Sequence, residues 1–264
     1  MTKTAISVPA SRNSAVWSRG SFLKEYATRV LRPAEVVILV RYREALEGTV
    51  LELGSGAGRL TGYLAELGAE VHGIDLAPSM VAYSNQRYPD AHCVVGDMRD
   101  LSGWEDGSLS AIFAPCNVLD VLSDAERRTL LADARRVLAD DGVIVMSSHN
   151  QAFLPRLKKP TYLRRTDPLR FAFDLIRVPQ RVRNSRRLVD LQEHHDQFAI
   201  VNDSAHEYSL LHYYISRDGQ ERQFAEAGFE LLECLDLEGR PVGPGQDAGD
   251  FVELHYVARC APAR

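Results

Sequence analysis

Residues 50–60 read VLELGSGAGRL: an apolar run of strand length passes directly into glycines at 54, 56 and 58. A glycine-rich turn after a buried strand can cradle a dinucleotide pyrophosphate, a nucleoside triphosphate or a nucleoside with no phosphate. The spacing excludes two familiar uses of such a turn. A dinucleotide-binding G-x-G-x-x-G/A, counted from Gly54, would end on Arg59. A phosphate loop needs a lysine followed by Ser or Thr, and Arg59-Leu60-Thr61 supplies no lysine. What remains is Glu52-x-Gly54-x-Gly56-x-Gly58, an acidic residue near the strand's end and then three glycines at alternate positions.

Outward from this turn, strand-length and helix-length segments alternate. Strands are expected at 49–53, 70–75, 91–95, 109–114 and 142–147, with helices at 58–68, 78–87 and 123–138, the last opened by a Ser123/Glu126 capping box. This rhythm predicts βαβ units and a parallel sheet with right-handed crossovers. Before it, residues 17–47 read as two helices divided by Pro33. After Asn150 the rhythm breaks into a proline-bearing basic stretch, 151–206. Sheet-like segments return at 207–215, 229–236 and 251–259, with a helix at 217–227, and the last two strands predict one final antiparallel pairing.

The glycine turn and the strand ends after it together resemble the class I S-adenosylmethionine (SAM) dependent methyltransferases, of the branch that acts on small molecules. The resemblance covers about residues 50–150. It implies a Rossmann-like, doubly wound, mostly parallel seven-stranded sheet whose final strand is antiparallel. Four parts follow: N-terminal helices at 1–47, a SAM-binding core at 48–150, an inserted basic segment at 151–206 and the remaining core at 207–264. It implies SAM as cofactor and site residues in sequence order. Gly54, Gly56 and Gly58 would pass under the amino-acid and ribose portions, with Glu52 helping to place the methionine ammonium. Asp75, followed by Leu76 in HGIDLAPSM, would take both ribose hydroxyls. Asp97 and Met98 in VVGDMRDL would meet the adenine, and Cys116 and Asn117 in APCNVLDVL would stand beside the reactive methyl. Each lies at a strand's carboxyl end, where open α/β sheets bind ligands. In similar enzymes N-terminal helices close over the cofactor, a role open here to the segment carrying Trp17, Phe22 and Tyr26, which could equally cap the sheet's edge.

Methyl transfer from a sulfonium needs positioning above all; an oxygen nucleophile also needs a base. The Asn/Asp-Pro-Pro-Tyr/Phe motif of many nucleobase-amine methyltransferases is missing after the fourth strand. His149, directly after VIVMSS, and His212 in the aromatic HEYSLLHYYIS are the candidate bases. The expected reaction is methylation of a hydroxyl on a small or glycan-like acceptor, and an anionic one suits the arginines. The alternatives are N-methylation of an amino sugar or other small amine, RNA methylation, and SAM binding without catalysis.

Charge is unevenly placed. Residues 156–187 hold eleven basic residues against two acids, a net +9, so the other 232 residues carry −14 of a total of −5. The segment could bind an anionic substrate or a membrane surface, or form a solvated face. Nucleic acid is disfavoured by the acidic whole and the few interleaved aromatics. The four scattered cysteines make no CxxC pair, so neither a zinc site nor a disulfide framework is expected. With no long apolar run, the reading is a cytoplasmic protein without a transmembrane segment.

Overall fold

A computed structural model describes residues 30–158, 168–246 and 248–262. Trp17, Phe22, Tyr26 and the first of the two expected N-terminal helices lie outside the described residues. The second helix forms as α1 (Pro33–Arg41), with proline at its first position and Glu35 Oε2 accepting from Arg32 N at 2.8 Å.

Strands β1 (Thr49–Leu53), β2 (Glu70–Asp75), β3 (His92–Val95), β4 (Leu109–Ala114) and β5 (Leu138–Asn150) alternate with helices α2 (Arg59–Glu66), α3 (Pro78–Arg87) and α4 (Asp124–Val137). They lie side by side and parallel in the order β3-β2-β1-β4-β5. Both faces are covered, which is why β1 reads as nearly continuous apolar sequence rather than as an alternation. On one face Ile144 and Met146 of β5 pack with Leu130, Leu131 and Ala134 of α4. On the other, Val143 and Val145 pack with Ile38 of α1 and with Leu60 and Leu64 of α2. The capping box expected at the start of α4 is present: Ser123 Oγ accepts from Glu126 N while Glu126 Oε2 accepts from Ser123 N.

Further along the chain come α5 (Pro168–Leu188), β6 (Glu193–His194), β7 (Phe198–Val201), β8 (His212–Ile215), α6 (Arg217–Glu226), β9 (Phe229–Leu235) and β10 (Glu253–Cys260). β10 lies antiparallel between β5 and β9, which completes the expected seven-strand path and its antiparallel end. The described residues hold ten strands rather than seven, because β6, β7 and β8 form an antiparallel ribbon. This ribbon joins only the last two residues of β5, through His149↔Tyr214 and Asn150↔Ile215. β5 is longer at both ends than the expected 142–147, with Leu138 paired to β4 and Ser148 and His149 paired to β10. Within 207–215 only His212–Ile215 is strand, since residues 205–208 form a 3-10 turn that leaves the sheet.

Candidate active site

The parallel strands all end at one edge, and the turns leaving them build the site. Gly54 and Ser55 both donate to Ile74 O, at 2.8 and 3.1 Å, which ties the glycine turn to β2. Gly54 has φ +66°, and a Cβ there would come within 2.2 Å of Val118 Cγ2. Gly56 has φ +54° and faces the other way, its absent Cβ meeting nothing closer than 4.0 Å. The first glycine is required by packing; the second keeps a bare, left-handed backbone toward open space, the cradle a ligand's flat side would fill.

Asp75 ends β2 and clamps this turn. Its Oδ2 accepts from Gly56 N at 2.9 Å and its Oδ1 from Ala77 N at 2.8 Å, leaving each oxygen a second lone pair for hydroxyl donors. Burial raises its pKa, against the two backbone bonds. Leu76 follows, half-buried. After β3, Asp97 accepts from the backbone N, Nε and Nη2 of Arg99 at 2.6–3.1 Å. Those bonds hold its carboxyl below the usual range. Met98 beside it is buried.

Glu52 stands differently. It is buried and its Oε2 accepts from Thr61 Oγ1 of α2 at 2.5 Å. Burial pushes its pKa up to about 8 even though Thr61 and Arg59 oppose the shift. Next to it, Arg59 donates to both oxygens of Glu35 at 2.6 Å and reaches Cys116 Sγ at 3.2 Å. Three elements are pinned together there: α1, α2 and the turn after β4.

That turn is strained. Cys116 and Asn117 have φ +56° and +58° without being glycine, which costs about 1–3 kcal/mol per residue. The surroundings hold them: Asn117 N donates to Ser147 Oγ at 2.8 Å, and Asn117 Nδ2 donates to Glu253 Oε2 at 2.9 Å. The same amide nitrogen lies 3.3 Å from His149 Nε2. Glu253 in turn pairs with Arg32, at the start of α1.

His149 closes the series at the end of β5. Both its backbone N and its Nδ1 meet Asp120 Oδ2 at 2.7 Å. A carboxylate only accepts, so Nδ1 carries the proton and Nε2 presents its lone pair on the Asn117 side. Asp120 is fully buried, and its Oδ1 accepts from Arg127 at 2.8 Å and Ser148 Oγ at 2.6 Å. Arg127, also fully buried, donates to Gln220 and Gln223 of α6 and lies over the Tyr213 ring at 4.9 Å.

The second candidate base is brought close by the ribbon: the rings of His149 and His212 are 5.4 Å apart, and Tyr214 stacks on His149 at 4.7 Å. His212 Nδ1 lies 3.0 Å from Asp203 Oδ1, whose other oxygen accepts from Tyr214 OH at 2.7 Å. Burial lowers the His212 pKa, but Asp203 outweighs it and the net shift is upward.

Residues 50–142 match the family model described as a methyltransferase domain. Residues 50–142 thus form a methyltransferase domain, and the fold around it is shared with solved methyltransferases. It is 30% identical over 108 residues to YqeM of Bacillus subtilis, which carries a methyltransferase name, and the match covers 39% of this chain and 43% of that protein. The chain thus spans less than half of that relative's length. Over 217 residues it is 25% identical to the dTDP-3-amino-3,6-dideoxy-alpha-D-glucopyranose N,N-dimethyltransferase of Streptomyces fradiae, covering 80% of this chain and 79% of the relative. The fold is shared with the 1,6-didemethyltoxoflavin-N1-methyltransferase of Burkholderia thailandensis, at a TM-score of 0.59, 15% identity, and coverage of 98% and 93% of the two chains. SAM is the cofactor of this family, and the bare Gly56 backbone beside an Asp75 with free lone pairs fits a nucleoside bearing two ribose hydroxyls.

The residues that sequence reasoning missed are the supporting ones: Glu35, Arg59, Asp120, Arg127, Asp203 and Glu253. Asp120 alone carried a visible signal, a carboxylate inside the otherwise apolar VLDVL after the fourth strand.

Proposed function

We propose that this protein transfers a methyl group from SAM to a hydroxyl of a small, glycan-like acceptor, with His149 as the general base. The observation that carries this reading is the His149–Asp120 pair at the end of β5, its Nε2 lone pair turned toward the same turn that holds Asn117. SAM supplies the electrophilic methyl on a sulfonium leaving group. Gly54, Gly56 and Gly58 would carry its amino-acid and ribose portions, Asp75 beside Leu76 the hydroxyls, and Asp97 with Met98 the adenine. Glu52, buried on Thr61, would act through the loop it supports. His149 Nε2 would take the acceptor's proton as the new bond forms. Asp120 would then stabilise the imidazolium. Arg127, which cannot lose its own charge, holds the other oxygen of Asp120 at 2.8 Å. Residues 48–150 hold the cofactor in this reading, and residues 151–206 meet the acceptor beside it.

A second reading is favoured by the 25% identity to an amino-sugar N,N-dimethyltransferase over most of both chains. An amine acceptor that arrives neutral needs no base. The two readings separate in one set of measurements. Calorimetric titration with SAM, S-adenosylhomocysteine and NAD should show micromolar binding of the first two only. Labelled-methyl transfer to panels of hydroxyl and amino sugars would then identify the acceptor. With a hydroxyl acceptor, His149→Ala abolishes turnover and leaves cofactor affinity intact; turnover barely changed by that substitution would assign the reaction to an amine. Absence of adenosyl binding would overturn both.

A further inference from the structure

Among the described residues, helix α5 lies against the body along one side. Arg181 and Leu188 are buried, Arg181 and Arg177 pair with Glu207, and Asn184 Nδ2 donates to Glu207 O at 2.8 Å. The opposite side runs through positions 175, 176, 179, 180, 183, 186 and 187, which recur at helical spacing and are all exposed. Its first part is apolar: Leu175 is 44% exposed and Ile176 74% exposed, followed by Pro179. Its second part is basic, and among the described residues Arg183, Arg186 and Arg187 make no ion pair. Asp190, a turn further on, bounds the patch.

We propose that this outward side of α5 docks the protein on an anionic phospholipid bilayer. A bilayer interface takes apolar side chains below the headgroups while cations lie among the phosphates, and the face supplies both in succession. A soluble anion would need converging donors, whereas these three arginines are spread over a convex helix surface. RNA would want aromatic platforms, and among the described residues the outward side carries none. The charge distribution favours the encounter: the segment 156–187, which includes most of α5, is +9 while the remainder is −14, so an anionic surface attracts this part of the chain over the rest. No described helix is long and apolar enough to cross a membrane, so the contact is one of surface binding. The proposal does not rest on the identity of the acceptor.

The test uses the full chain in sedimentation with vesicles of phosphatidylcholine alone or with about one-third phosphatidylglycerol. The protein is expected to pellet with the anionic vesicles only, and to be released as salt is raised. Ile176→Asp and the triple substitution Arg183→Glu, Arg186→Glu, Arg187→Glu should each weaken that binding at least about tenfold, the first by losing apolar insertion and the second by charge reversal. SAM affinity measured on each variant reports that it has folded. Failure of the wild type to pellet with anionic vesicles would overturn the proposal. So would binding that Ile176→Asp leaves intact and millimolar inorganic phosphate abolishes, because that is a point site for an anion. Salt-sensitive binding of single-stranded RNA without vesicle binding would assign the face to nucleic acid instead.

Discussion

His149 with Asp120 and His212 with Asp203 use the same two residue types, and their rings lie 5.4 Å apart, yet they are built into different surroundings. Asp120 is shared between an arginine and a histidine, and the His149 side chain keeps 15% of its surface open, with Nε2 on the Asn117 side. Asp203 is shared between a histidine and a tyrosine, and the His212 side chain is 5% exposed, closed in by the ribbon. The role of such a pair is decided by what the carboxylate's other oxygen holds and by where the second ring nitrogen opens. The acid beside His149, whose second nitrogen opens toward the site, is held by an arginine; the acid beside His212, inside the ribbon, is held by a tyrosine.

The largest effect should appear where the two carboxylates are removed. Asp120→Ala leaves Arg127 as a buried charge without its ion-pair partner, at a cost of about 3–5 kcal/mol in urea unfolding. Asp203→Ala should cost distinctly less, because His212 can release its proton and Arg127 cannot. Equal costs would break the contrast. Next comes turnover, once an acceptor is found: His149→Gln should lower kcat by roughly a hundredfold or more if the acceptor is a hydroxyl. His212→Gln should leave it within about tenfold. A greater loss from His212→Gln would place the base in the ribbon. On the cofactor side, away from both pairs, Asp75→Ala should weaken SAM by about 1.5–3 kcal/mol in calorimetry, as for hydrogen bonds to a charged group. Unchanged affinity would remove Asp75 from the ribose.

The smallest effect is a dependence on pH. The His212 pKa is lowered by burial but raised more by Asp203, and the net is upward. Its folded value therefore exceeds its unfolded one, and its contribution to stability is complete below about pH 6.5 and fades as pH rises through the folded value. Burial raises the Asp203 pKa, but His212 first, then His149 and Tyr214, carry it well below the carboxylate range. That contribution is present above about pH 4 and is lost as pH falls. The Tm difference between wild type and His212→Asn should thus be greatest between about pH 4 and 6.5 and shrink toward alkaline pH. A difference that grows with pH would mean that His212 is neutral when folded.

Elements whose periodicity and caps are local were readable from the chain alone. β1, β2, β4 and α3 fall on the expected residues, and the Ser123/Glu126 box forms as the spacing implies. The glycine turn was legible as a ligand cradle from its spacing, but that Gly54 is also required by packing on Val118 was not, because that contact comes from the turn after β4. Of the ribbon, β8 falls inside the expected 207–215 but β6 and β7 were not legible, because strands of two to four residues carry too little alternation to register, and the pairing of β8 with His149 and Asn150 depends on β5 running on.

By itself, then, the sequence determined the alternating architecture and the order of the strand-end turns, since each rests on neighbours a few residues apart. It also placed His149 and His212 among the candidates by residue type and position. Only the tertiary structure decided which acid each histidine meets. His149 is joined to Asp120 across 29 positions, Asn117 to Glu253 across 136, and Arg127 to Gln223 across 96. Such contacts are set by how β10 and α6 pack against β5, and a buried charge takes whatever partner that packing brings within hydrogen-bond reach.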